Sequence, residues 1–184
     1  MNQTMKMQLN LEIQYKQPSI GYCSVYLFAN IFKNPKFLEY TKYERFKGCQ
    51  EAEINEMLLS IIPELAVAQV AVVNPIYPPL PIDYIYSLLS LDERDFPKDI
   101  TIPIVCYLLV VRLIDADIHH HVAVLIHDGI KYYLDPYNNE MFVLTDAQHL
   151  SKQFIDCCMI ERFRMRESDY WAVLNGENLG YKLI

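Results

Sequence analysis

"DADIHHHVAVLIHDGIKYYLDP", residues 115–136, contains three consecutive histidines, an apolar run, a turn signal, and a second apolar run closing on Asp-Pro. The runs at 121–126 and 130–136 each read as a strand, and His127-Asp128-Gly129 reads as the hairpin connection between them. A strand alternates faces, so His119 and His121 share one and His120 takes the other. The length of the turn decides which histidine meets Asp135. A three-residue loop with Gly129 in the left-handed position pairs Ile126 with Ile130. Counting outward then sets His121 opposite Asp135, with Cβ atoms about 5 Å apart. A two-residue turn at Asp128-Gly129 shifts the pairing by one, and His120 becomes the histidine on the Asp135 face, diagonally placed. The three-residue loop is preferred because it gives the more direct pair. Bland readings stand beside both: a histidine run can be a solvated strand end, and Asp-Pro is a common turn opener.

Around this hairpin the texture is that of an antiparallel meander. "IPIVCYLLVVRLI" (102–114) is β-branched-rich, as expected of a strand buried on both faces, and "EMFVL" (140–144) reads as a further strand. "TDAQHLSKQF" (145–154) reads as a helix capped by Thr145 or Asp146, and "CMIERFRMR" (158–166) as the last strand. Arg162, Arg164 and Arg166 alternate along it as one solvated face. The N-terminal half differs. "QLNLEIQY" (8–15) alternates like a short strand. Residues 22–33 and 51–62 carry apolar residues at steps of three and four, the spacing of helices, with Asn34-Pro35 ending the first. "NPIYPPLP" (74–81) is extended, and 82–91 reads as another short helix. Helices first and antiparallel strands second give an α+β fold in one domain over residues 1–184. Its helical part covers about 17–100 and its sheet part about 101–184.

The hairpin gives a base and a group to orient it, and a nucleophile is the missing member. Cys23 opens the helix predicted over 22–33. Orphan N–H groups and the helix dipole at that position favour a thiolate. Gly21 permits a tight approach turn, and Gln17 can reach the same helix mouth as an oxyanion donor. Alone, a cysteine in an apolar run reads as a small core residue. His127 and His149 have no evident partner and read as surface residues.

Composition narrows the classes. The 184 residues are 52% hydrophobic and 21% charged, a globular balance. A net charge of −7 argues against a nucleic-acid binder, which needs clustered Lys and Arg. Five cysteines, an odd number without CxxC pairs, argue against a disulfide framework or a zinc ribbon, so reduced thiols and a cytoplasmic location are expected. The first residues lack the apolar stretch of a signal peptide, and no run approaches the roughly 20 residues of a membrane helix. A secreted route without a signal peptide stays open.

The joint pattern resembles the papain-like cysteine peptidase superfamily. It is most similar to the peptidase domain of bacteriocin-exporting ABC transporters and its free-standing relatives. The matching stretches are "QPSIGYCS", "HVAVLI" and "YYLDP", about a quarter of the chain. The resemblance implies Cys23 as nucleophile, His121 as general base and acid, Asp135 as the orienting group, and Gln17 with the Cys23 N–H as oxyanion hole. His120 and His119 are the alternative bases. Two positions depart from the pattern. Ser24 stands where the family usually has Gly. Val122 stands where an aromatic usually follows the histidine, unless His120 is the base and His121 fills that slot.

The expectation is therefore a cysteine hydrolase of an amide or peptide bond, acting on a peptide or protein without a cofactor or metal. Three alternatives remain. One is an acyltransferase with the same triad. Another is a non-catalytic binding module, in which Cys23 and the histidine would lie too far apart to hydrogen-bond. The third is a zinc site built from His119 and His121 with Asp115 or Asp117.

Overall fold

A computed structural model describes residues 11–48, 51–62, 71–73, 79–91, 103–116 and 118–175. The expected α+β class holds, with an N-terminal helix and an antiparallel sheet. The helices are α1 (Cys23–Ile31), α2 (Glu51–Ile61), α3 (Ile82–Leu91), α4 (Gln148–Ser151) and α5 (Glu167–Leu174). The strands are β1 (Ala71–Val73), β2 (Leu80–Pro81), β3 (Pro103–Leu113), β4 (His119–His127), β5 (Ile130–Asp135), β6 (Glu140–Val143) and β7 (Phe154–Arg166). They form one antiparallel sheet in the order β1-β7-β3-β4-β5-β6, with β2 also paired to β7.

Alternation along the central strands builds a core on each face of the sheet. Ile104, Cys106 and Leu108 of β3, with Ala123 and Leu125 of β4, pack with Val25, Leu27, Phe28 and Ile31 of α1 and with Ile54 and Met57 of α2. Val105, Tyr107 and Leu109, with Val122, Val124 and Ile126, pack with Ile82, Ile85 and Leu89 of α3. The continuous apolar runs in β3 and β4 are thus those of strands covered on both faces.

Several expected elements change. Residues 11–15 form no strand, and 8–10 lie outside the described residues. The Gln14 and Tyr15 N–H groups donate to one side-chain oxygen, Asn30 Oδ1, at 2.8 and 2.9 Å, in place of a ladder. The stretch expected to be helical and looped contributes the short strands β1 and β2 to the sheet edge. The helix expected over 145–154 shrinks to α4, and Asp146 accepts from the Gln148 N–H at 2.9 Å. β7 begins earlier than expected, with irregular register opposite Val110–Leu113. α5, unforeseen, docks through Tyr170, whose hydroxyl donates to Ile31 O at 2.7 Å. The side chains of Arg164 and Arg166 lie outside the described residues.

The hairpin turn is the correction that matters for the site. His127 pairs with Ile130, so the connection is the two-residue Asp128-Gly129 and not the three-residue loop. Their φ values of 48° and 78° are those of a primed turn, whose twist suits an antiparallel pair.

Candidate active site

β4 and β5 stay paired from His127–Ile130 as far as Ala123–Leu134. Beyond that rung β5 leaves through Asp135 and Pro136, while β4 runs on to His119, still paired with Arg112 of β3. The stretch leading into α1 enters where β5 departs, and the Gln17 N–H donates to Pro136 O at 3.1 Å. This brings Cys23 beside the open flank of β4.

His120, not His121, stands between the thiol and the carboxylate. Cys23 Sγ lies 3.0 Å from His120 Nδ1, and His120 Nε2 lies 2.9 Å from Asp135 Oδ1. The one-residue change in turn length is the physical reason, since it puts His120 on the Asp135 face. His121 is buried next to them and its Nε2 lacks a hydrogen-bond partner, while His119 is exposed. Gln17 is where the sequence placed it: Nε2 donates to Ser19 O at 2.7 Å and to Cys23 Sγ at 3.2 Å.

Local sequence explains the approach to Cys23. Gly21 has φ +139°, and a Cβ there would meet the Lys47 side chain at 3.2 Å, so a side chain is strained and crowded at this position. Tyr22 caps α1 without a side-chain hydrogen bond, and the first turn holds no acidic residue. No side chain of the cap competes with the sulfur for the field of the helix N-terminus. Ser24 is buried in that same turn.

Asp135 joins both of its expected readings in one carboxylate. Its Oδ1 accepts from the Tyr137 N–H at 3.1 Å and the Asn138 N–H at 3.3 Å, the Asx turn that Asp-Pro announces. Its Oδ2 accepts from Asn138 Nδ2 at 2.8 Å. The turn therefore holds the group that holds the imidazole. Asn138 was not singled out from the sequence, although an Asn closing an Asp-Pro turn was a readable signal. Asn30 was missed too. It is a buried polar residue on an apolar helix, and its Nδ2 donates to Tyr15 O and Tyr26 O.

Electrostatics favour an ion pair. Burial would push the Cys23 thiol up, but the hydrogen bond with His120, the nearby His121 imidazole, the His120 charge and Gln17 outweigh it and bring the thiol down to about 5. Burial would lower His120, but Asp135 and Cys23 outweigh it and raise the imidazole to about 9. Burial likewise opposes ionisation of Asp135, yet His120 and Asn138 hold it below the usual carboxylate range. The other described thiols go the opposite way. Burial drives Cys106 far up, Cys157 up to about 12, and Cys158 upward.

The remaining candidates separate from this centre. His127 is buried, contrary to its expected surface place, and His149 is exposed against Phe142. Asp115 is exposed, and Asp117 and Cys49 lie outside the described residues. Among the described residues no group of His, Cys, Asp or Glu is placed to hold a metal ion. Among them, too, no helix is long and apolar enough to cross a membrane. No family model, curated protein or solved structure matches the chain.

Proposed function

We propose that the chain is a cysteine-dependent hydrolase of an amide or peptide bond, with a papain-like arrangement. Cys23 is the nucleophile, His120 the general base and acid, Asp135 the orienting group, and Gln17 an oxyanion donor. The observation that carries the reading is the buried series Cys23–His120–Asp135, with contacts of 3.0 and 2.9 Å. A non-catalytic module needs no such contact. With His120 as the base, His121 takes the place where the resemblance expects an aromatic.

The chemistry follows from these positions. The Cys23 thiolate adds to the scissile carbonyl, and the developing oxyanion takes hydrogen bonds from Gln17 Nε2 and the Cys23 N–H. The Nδ1–H of the His120 imidazolium protonates the leaving amine as the C–N bond breaks, leaving a thioester and a neutral imidazole. Water then gives a proton to Nδ1 as it adds to the thioester carbonyl. Collapse expels the Cys23 thiolate and releases the acid, restoring the ion pair. Asp135 keeps the ring oriented and its charge compensated throughout. Cys23 is only 4% exposed, so the pair acts in a largely dry site, where charge stabilisation counts for more than in water.

Competitive labelling with iodoacetamide tests the reading. Cys23 is expected to react first, with a rate that rises through a midpoint near 5, while Cys106, Cys157 and Cys158 lag at neutral pH. Cys23→Ala and His120→Ala should each abolish turnover of a panel of peptide amides. Equal labelling of all thiols at neutral pH would sink the proposal.

A further inference from the structure

Two polar atoms around the thiol are buried with no hydrogen-bond partner: Gln17 Oε1 and His121 Nε2. Their residues are 2% and 7% exposed. Neither atom is used by the triad. The orientation of the Gln17 amide is fixed by Ser19 O, which accepts from Nε2 at 2.7 Å. Turning the amide over would set two oxygens against each other, so Oε1 is an acceptor waiting for a donor. His121 pairs with Val110 of β3 and lies past the last β4–β5 rung, where β5 supplies no neighbour. It shares the face of β4 on which Ala123 and Leu125 pack against α1, the helix that Cys23 opens, and it follows His120, whose Nδ1 meets the sulfur at 3.0 Å.

Buried polar atoms without partners are uncommon in folded proteins, and each calls for a reason. Here two of them flank one nucleophile, and they differ in kind. Gln17 Oε1 can only accept, whereas an imidazole nitrogen can donate. A ligand that satisfies both must present an N–H and a carbonyl within a few atoms of the carbon under attack. A simple acyl amide without further polar groups leaves at least one unpaired. The main chain of a peptide carries both on every residue.

Resting on the hydrolase reading, we infer that His121 and Gln17 clamp the substrate main chain beside Cys23. His121 Nε2–H donates to a carbonyl of the bound chain, and Gln17 Oε1 accepts from one of its N–H groups. The substrate class is thereby a peptide segment. His121 touches the substrate and transfers no proton.

The test uses the full chain at pH 7.5 and two chloromethyl ketones that alkylate Cys23, one on a blocked dipeptide and one the bare chloroacetone. His121→Phe should raise the dipeptide probe's Ki about tenfold, the worth of one lost hydrogen bond, beyond any change in the chloroacetone rate, which reads the thiolate alone. His121→Gln, which restores a donor, should recover most of the loss. An N-methylated dipeptide probe should bind wild-type protein about tenfold more weakly, a comparison that needs no variant to fold. Equal effects on both ketones, or no effect of the variant or of N-methylation, would overturn the clamp while leaving the nucleophile intact. Wild-type Cys23 reacting no faster than the other thiols would overturn the hydrolase reading and the clamp together.

Discussion

His120 Nε2 and Asp135 Oδ1 meet at 2.9 Å although both residues lie past the last paired rung of the β4–β5 ladder, Ala123 with Leu134. The β4–β5 ladder does not hold the carboxylate in place. Its own turn does, through the Tyr137 and Asn138 N–H groups and the Asn138 side chain, and the Tyr133 hydroxyl of β5 also donates to Oδ2 at 3.4 Å. Orientation of the base is therefore a local property of the sequence Tyr133–Asn138.

Asp135→Asn tests that arrangement. The substitution keeps the shape, removes the charge, and brings an amide toward the Asn138 amide that now donates to Oδ2. Loss of charge-assisted bonds at a buried site should cost about 2–4 kcal/mol in denaturant unfolding. Turnover should fall about a hundredfold or more, with His120 lowered from its raised value. Asp135 has a depressed pKa in the fold, so its contribution is present above the ordinary carboxylate value and lost as pH falls through the folded value. The stability gap between wild type and variant should accordingly shrink below about pH 4. A gap unchanged between pH 7 and pH 3 would contradict it.

The Cys23–His120 pair sets two pH profiles. With the thiol near 5 and the imidazole near 9, kcat/KM should be bell-shaped with limbs near those values. Stability follows a separate rule. The raised His120 contributes fully below about 6.5, its unfolded value, and loses that contribution as pH rises through 9. The depressed Cys23 contributes fully above about 8.5, its unfolded value, and loses it as pH falls through 5. Between about 6.5 and 8.5 the two slopes cancel. Wild type compared with the double variant Cys23→Ala/His120→Ala should thus show a stability difference that is flat there and declines on both sides. A monotonic difference from pH 5 to 9 would show that the two groups are not paired.

How far the sequence carried the site depends on the range of each signal. Cys23 at a helix start, Gln17 at its mouth and an Asp-Pro turn are local patterns, and all three fall where their residues placed them. The choice of histidine was not local. It hung on whether Gly129 alone or Asp128 with Gly129 takes positive φ, and Asp tolerates the left-handed region well enough to leave both turns open. One residue of loop moves every side chain of the strand to the other face of the pair. The stretch 8–15 misled for a different reason: its alternation suits a strand, but the partner at 14 and 15 is the Asn30 side chain. The edge strands β1 and β2 are two or three residues long, too short to show a period. The two orphan atoms became visible only with side chains in place.

Asn30→Ala should separate scaffold from chemistry. Asn30 is 1% exposed, accepts from Gln14 and Tyr15, and donates to Tyr15 and Tyr26, so it ties the arm that carries Gln17 to α1. Truncation leaves several of those backbone groups buried without partners, at a cost of roughly 2–4 kcal/mol. Because the arm carries Gln17 and not Cys23, kcat should drop while the midpoint of iodoacetamide labelling stays near 5. Thermal melting followed with labelling on one preparation checks both. A shift of that midpoint toward ordinary thiol values would place Asn30 in the thiolate network instead.

Gln17→Ala isolates the oxyanion donor. The side chain donates to the sulfur at 3.2 Å in the free protein, yet it is the last of the causes that lower the thiol, after both histidines. Removing it should leave Cys23 mostly ionised at pH 7, and alkylation by iodoacetamide, which forms no oxyanion, should slow by only a few-fold. Amide hydrolysis passes through a tetrahedral oxyanion, so kcat should fall about 10²–10³-fold. The backbone bond from the Gln17 N–H to Pro136 O survives the substitution and keeps the arm in place. The measurement is the ratio of the two losses. A ratio near one would mean that Gln17 acts through the thiolate alone and that the oxyanion is stabilised elsewhere.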